Sequence, residues 1–136
     1  MHIDAEHEVS LQLDDQLPLV AGDPDKVGRV LINLVDNGLK YSPDGGNVDV
    51  AVLRVGSRVR FSVTDHGLGL PPSEHRRIFE KFYRLDPNMN RGVGGTGLGL
   101  YICRELVRRM EGRIWVTSDG LGTGSTFHVE LPVALA

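Results

Sequence analysis

"RGVGGTGLGLYICRELVRRM", Arg91 to Met110, sets five glycines within eight positions in front of a run with helical periodicity. Gly92, Gly94 and Gly97 spell GxGxxG, and Asp119 lies near where a dinucleotide-binding fold places its ribose carboxylate. That fold requires a buried parallel strand directly before the first glycine, because the pyrophosphate sits at a strand-to-helix turn. "RLDPNMNR" precedes Gly92 and carries no such pattern. A P-loop requires Gly-Lys-Ser/Thr, and none of Lys26, Lys40 and Lys81 follows a glycine. "DHG" at Asp65 is like the metal-binding triplet of protein kinases, but no catalytic-loop partner accompanies it. With the three common phosphate motifs excluded, the glycines have to be read with the rest of the chain.

The 136 residues are 40% hydrophobic and 24% charged, a composition and length that suit one compact domain over 1–136 without disulfides or a structural metal. A net charge of −3 gives no electrostatic case for a nucleic-acid partner. Arg104, Arg108 and Arg109 read as the solvated face of a helix. The single cysteine, Cys103, falls within an apolar helical pattern and reads as a small core residue. "MHIDAEHEV" has no apolar segment of signal-peptide type, and no run of about 18 apolar residues exists to cross a membrane. The expectation is a cytoplasmic domain without direct membrane contact.

"VSLQL" alternates as a strand does, and "LPLVAG" reads as a second extended piece. In "DPDKVGRVLINLVDNGLKYS", Asp23 is placed to cap a helix that has Pro24 in its first turn. Val27, Val30, Leu31, Leu34, Val35 and Leu39 recur there at helical spacing. "NVDVAVLRVGSRVRFSVTD" predicts a hairpin about Gly56-Ser57, and "SEHRRIFEKFYR" a short helix capped by Ser73. "LDPNMNRGVGG" has no periodicity and reads as a mobile loop. A helix from Leu98 to Met110, the strand "RIWVTS", a turn at "DGLGTG" and the strand "STFHVELP" complete the chain. This order predicts a two-layer α/β sandwich, a mixed sheet with its helices on one face.

Four features then stand in a fixed order. Asn33, Asn37, Lys40 and Tyr41 share one helix face, where amide oxygens suit a hydrated magnesium ion and the lysine suits phosphate. "DHGLGL" follows a strand end, so Asp65 would present a carboxylate at the sheet edge, with Gly67 and Gly69 admitting a flat ring. "FEKFYR" carries Phe79 and Phe82, and the opening stretch runs a glycine-rich loop into a helix N-terminus whose free N–H groups suit phosphate oxygens.

These stretches resemble the catalytic ATP-binding domain of sensor histidine kinases, in the superfamily shared with gyrase, the ninety-kilodalton heat-shock chaperone and MutL. "NLVDNGLKYS" is similar to the N box, "DHGLGL" to the first glycine box and "FEKFYR" to the F box. "GGTGLGL" and "GTGSTF" are similar to the second and third glycine boxes. The resemblance runs from about Leu17 to Pro132 and implies the Bergerat fold, with three main helices on one face.

It further implies Mg-ATP as ligand, with Asn37 as the magnesium ligand and Asn33 assisting through water. Lys40 would contact phosphate, Tyr41 would flank adenine, and Asp65 would accept the adenine amine, with Gly67, Gly69 and Ser125 shaping that end. Gly95, Thr96, Gly97, Leu98 and Gly99 would carry the triphosphate, with Arg84 or Arg91 reaching it. Gly38 departs from the family's usual alanine, and Leu68 from its usual proline or isoleucine.

ATP-hydrolysing relatives carry a glutamate where this chain has Asn33, and an amide is no general base at neutral pH. The resemblance therefore implies transfer to an outside nucleophile. No catalytic residue is expected within the chain itself: "HEV" at His7 lacks the proline of the phosphoacceptor box and begins a strand pattern. The expected partners are the dimerisation and histidine-phosphotransfer hairpin of the same kinase and a response regulator, this chain being a fragment without that hairpin. A nucleotide-binding regulatory module and an anti-sigma-type serine kinase of the same superfamily are the alternatives.

Overall fold

The structure, a computed structural model, describes residues 7–14, 17–40, 46–81, 99–120 and 122–134. Five strands, β1 (His7–Leu13), β2 (Gly46–Val55), β3 (Arg58–Asp65), β4 (Arg113–Thr117) and β5 (Ser125–Pro132), form one sheet. Their order is β1-β2-β3-β5-β4, with β1 parallel to β2 and every other pair antiparallel. Two helices, α1 (Pro24–Lys40) and α2 (Gly99–Arg109), pack on each other and on the sheet. Two layers were expected, and two are present.

Strand alternation decides which sheet face the helices cover. Val50, Val63, Phe127 and Val116 share one register row, Val52, Phe61, Val129 and Ile114 the next, and all of these are buried or packed against the core. Val30, Leu34 and Val35 of α1 and Cys103 and Val107 of α2 complete that core. Asp23 starts α1 as expected, its Oδ1 accepting the Asp25 N–H at 2.9 Å. At the other end of α2, Glu111 takes a left-handed φ of 61°. The neighbouring Gly112 cannot accept a side chain, since a Cβ there would lie 2.5 Å from the Glu130 carbonyl oxygen.

The opposite sheet face has no helix over it among the described residues and is largely polar across β3, β5 and β4. Arg60, Glu130 and Arg113 form one row; Ser62, His128 and Trp115 form the next; Thr64, Thr126 and Thr117 form the third. Nε and Nη2 of Arg60 both reach Glu130 Oε2 at 2.8 Å, which pairs the buried carboxylate. His128 stacks on Trp115 at 5.0 Å, and its two ring nitrogens meet the Ser62 and Thr117 hydroxyls at 3.0 Å each. Burial first, and then the Arg60 charge, hold His128 below the ordinary imidazole range, with Glu130 opposing.

The expected helix at "SEHRRIFEKFYR" is a correction. The chain instead makes two 3-10 turns, Pro72–Glu74 and Arg77–Phe79, and Ser73 provides no side-chain cap. Pro71 is extended, Pro72 opens the first turn, and an extended Glu80 ends the second. The adjacent Ile78 and Phe79 are both buried, Phe79 edge-on to Phe127 at 6.0 Å. Phe82 and the expected loop at 85–95 lie outside the described residues.

Candidate nucleotide-binding site

Asp65 ends β3 on the core-facing side, paired in register with Ser125, so a carboxylate stands where the row pattern would put an apolar residue. It is 1% exposed. Its Oδ1 accepts the Gly67 N–H at 3.0 Å and its Oδ2 the Ser125 hydroxyl at 2.9 Å. Burial raises its pKa, while the bonds from Gly67 and Ser125 pull it back. Each carboxylate oxygen has two lone pairs, so acceptor capacity remains for a ligand after both are anchored.

Helix α1 reaches this carboxylate through Gly38. A Cβ at Gly38 would lie 3.5 Å from Asp65 Cβ and 3.4 Å from both Val48 methyls, which makes the glycine the point where helix and strand touch. Its neighbour Asn37 is half-buried, and the shielded Asn37 Nδ2 has no hydrogen-bond partner among the described residues. Such an orphaned amide costs free energy unless a ligand engages the side chain. Lys40, three residues after Asn37, is exposed in the last turn of α1. Asn33, one turn before Asn37, is half-buried; nearby, the Cys103 thiol of α2 donates to the Val30 carbonyl at 3.9 Å, and burial pushes its pKa up to about 11, with the Asn33 amide opposing.

The turns that close the site are built on glycines. Gly69 has φ 70°, and a Cβ there would lie 2.0 Å from the Gly120 carbonyl oxygen. Gly124 has φ 77°, and its Cβ would lie 2.2 Å from the Asp65 carbonyl oxygen. The Gly122 N–H donates to the Leu68 carbonyl at 2.7 Å. Gly69 was expected to make room for a ring; what it faces is the backbone of the 118–124 turn. Of the other expected residues, Gly99 is the exposed first residue of α2. Tyr41, Arg84, Arg91, Gly95, Thr96, Gly97 and Leu98 lie outside the described residues. Asp65, Gly67 and Ser125 are thus joined by hydrogen bonds, with Gly38 of α1 beside Asp65.

The residues present fit a magnesium–nucleotide ligand. The described residues hold no cluster of three or more His, Cys, Asp and Glu. An ion carried here would use amide, phosphate and water oxygens, the ligand set that magnesium accepts with a nucleotide. The Asn37 side chain offers one such amide oxygen.

The profile of the family described as "Histidine kinase-, DNA gyrase B-, and HSP90-like ATPase" matches residues 22–135. The chain belongs to this family. Within it, the chain is 42% identical over 127 residues to the adaptive-response sensory kinase SasA of Trichormus variabilis, covering 93% of this chain and 31% of that protein. Full-length ShkA, solved in complex with AMPPNP, superposes with a TM-score of 0.81 at 32% identity, over 96% of this chain and 27% of that one. The mycobacterial sensor histidine kinase MprB gives 0.81 at 30% identity, over 97% of this chain and 85% of that one. The chain thus spans under a third of the length of the SasA relative. Like the catalytic domain that members of this histidine-kinase-like ATPase family share, it is a mixed five-stranded sheet backed by helices. No helix among the described residues is long and apolar enough to cross a membrane.

Proposed function

We propose that this chain is the Mg-ATP-binding catalytic domain of a sensor histidine kinase and supplies the γ-phosphoryl group to a histidine on the kinase's dimerisation hairpin. A response-regulator aspartate is the next acceptor, and the domain works in the cytoplasm. The observation that carries this is the buried Asp65, anchored at both oxygens at the strand end that α1 meets through Gly38, the residue after Asn37. Asp65 takes the exocyclic amine of adenine, with Ser125 and Gly67 fixing its direction. Asn37 ligates magnesium, Asn33 stands one turn behind it, and Lys40 neutralises phosphate. Tyr41 flanks the base. Gly95, Thr96, Gly97, Leu98 and Gly99 hold the triphosphate, with Arg84 or Arg91 reaching it.

Bound magnesium would supply charge neutralisation across the phosphates. The chain's own part is to bind and orient. With asparagine at position 33, no base faces a water molecule, so the phosphoryl group waits for a nucleophile placed in line by another domain. His7 does not meet that need, since it is the first residue of β1. The names of the relatives, sensory and sensor kinases, favour this reading over a purely regulatory module or a serine kinase.

Calorimetric titration tests the base assignment. A hydrogen bond to a charged acceptor contributes about 1.5–3 kcal/mol, so Asp65→Ala should weaken ATP about ten- to two-hundred-fold. GTP, which offers a carbonyl in place of the amine, should bind the unaltered chain poorly. Equal affinities for ATP and GTP would refute the assignment.

A further inference from the structure

Ser118 follows β4 and leads into the turn before β5. Its hydroxyl is saturated by backbone groups from three places. It accepts the Leu70 N–H at 3.0 Å and the Gly120 N–H at 3.2 Å, and donates to the Gly124 carbonyl at 2.6 Å. A serine hydroxyl has one donor and two acceptor sites, so all three are used. Leu70 belongs to the loop after Asp65; Gly120 and Gly124 belong to the turn before Ser125. Ser118 is therefore the side chain that fastens one loop to the other, 48 residues away in sequence.

Each of those loops adjoins one donor to Asp65: Gly67, within the first, bonds Oδ1, and Ser125, the β5 residue directly after the second, bonds Oδ2. The distance between the two donors sets the plane of the carboxylate, and with it the direction of the lone pairs left for a ligand. We propose that Ser118 is a positioning residue for base recognition: by fixing the two loops to each other it aims Asp65, and so determines the preference for a 6-amino over a 6-oxo purine. Gly69 and Gly124 allow the backbones to approach this closely, and the Gly122 N–H to Leu68 carbonyl bond is a second tie. Ser118 is the tie a point substitution can remove. This inference rests on the reading of Asp65 as the adenine acceptor.

The test is calorimetric titration of the chain with Mg-ATP and Mg-GTP, for the unaltered protein, Ser118→Ala and Asp65→Ala, at a temperature where each is folded by circular dichroism. Ser118→Ala should reduce the ATP-to-GTP affinity ratio by about tenfold, and Asp65→Ala should abolish it. A lower melting temperature with the ratio unchanged in Ser118→Ala would show a purely structural role and overturn the proposal. An Asp65→Ala variant that keeps the ratio would instead remove the adenine reading beneath it. Should the alanine variant not fold, Ser118→Cys keeps the side-chain volume while weakening all three bonds, and the same ratio decides.

Discussion

Gly38→Ala measures how closely α1 approaches the sheet. Glycine in a helix interior costs about 1 kcal/mol relative to alanine, and Gly38 lies in the last turn of α1, where roughly half of that applies. The added methyl would meet both Val48 methyls at 3.4 Å and Asp65 Cβ at 3.5 Å, ordinary contact distances at a buried position. Burying one methyl contributes about 0.8 kcal/mol. The two terms together predict stabilisation by roughly 1 kcal/mol, a rise in melting temperature of about 3–5 °C for a domain of this size. Thermal unfolding followed by circular dichroism reads this directly. A fall in melting temperature would mean that the methyl is overpacked, with α1 closer to β2 and β3 than these distances allow.

Glu111 occupies the left-handed region although it is not glycine, so Glu111→Gly should raise the urea midpoint by about 0.5–1 kcal/mol of stability; a lowered midpoint would contradict that backbone conformation. His128 favours its neutral form in the fold, its pKa lying below 6.5. The sign follows: stability is complete above pH 6.5 and is lost as pH falls through the folded pKa, because the unfolded chain takes the proton first. Thermal melts from pH 7.5 to 5 should therefore show a steeper loss for the unaltered chain than for His128→Gln, and parallel slopes would refute the assignment.

The features legible in the sequence were those written in local periodicity. Alternating valines in 48–52 and 59–63 gave the central hairpin, and Asp23-Pro24 gave the start of α1, because each depends on residues within a few positions. Asp65 was legible as a site residue because "DHGLGL" follows a strand end and resembles a glycine box; that it interrupts a core-facing row came from the structure. The turns at 72–79 were not, since the paired Pro71 and Pro72 and the extended Glu80 confine the segment to single turns against its amphipathic pattern. Ser118 carried no signal: its partners are backbone groups of other residues, which no side-chain pattern records. The bond from the Cys103 thiol to the Val30 carbonyl was hidden for a related reason, as it joins two helices far apart in sequence. Gly69 and Gly124 were visible as glycines, but the carbonyl each one faces is known only from the packed loops.

The central claim is transfer of a phosphoryl group to a histidine outside this chain, and the chemistry of the labelled product tests it most directly. The isolated chain with γ-labelled Mg-ATP should bind nucleotide yet neither label itself nor release phosphate at an appreciable rate. Addition of the kinase's dimerisation hairpin should give a product stable to base and lost in acid, as phosphohistidine is, and Asn37→Ala should abolish that label with the fold intact. Brisk hydrolysis by the chain alone, or an acid-stable label on serine, would contradict the account.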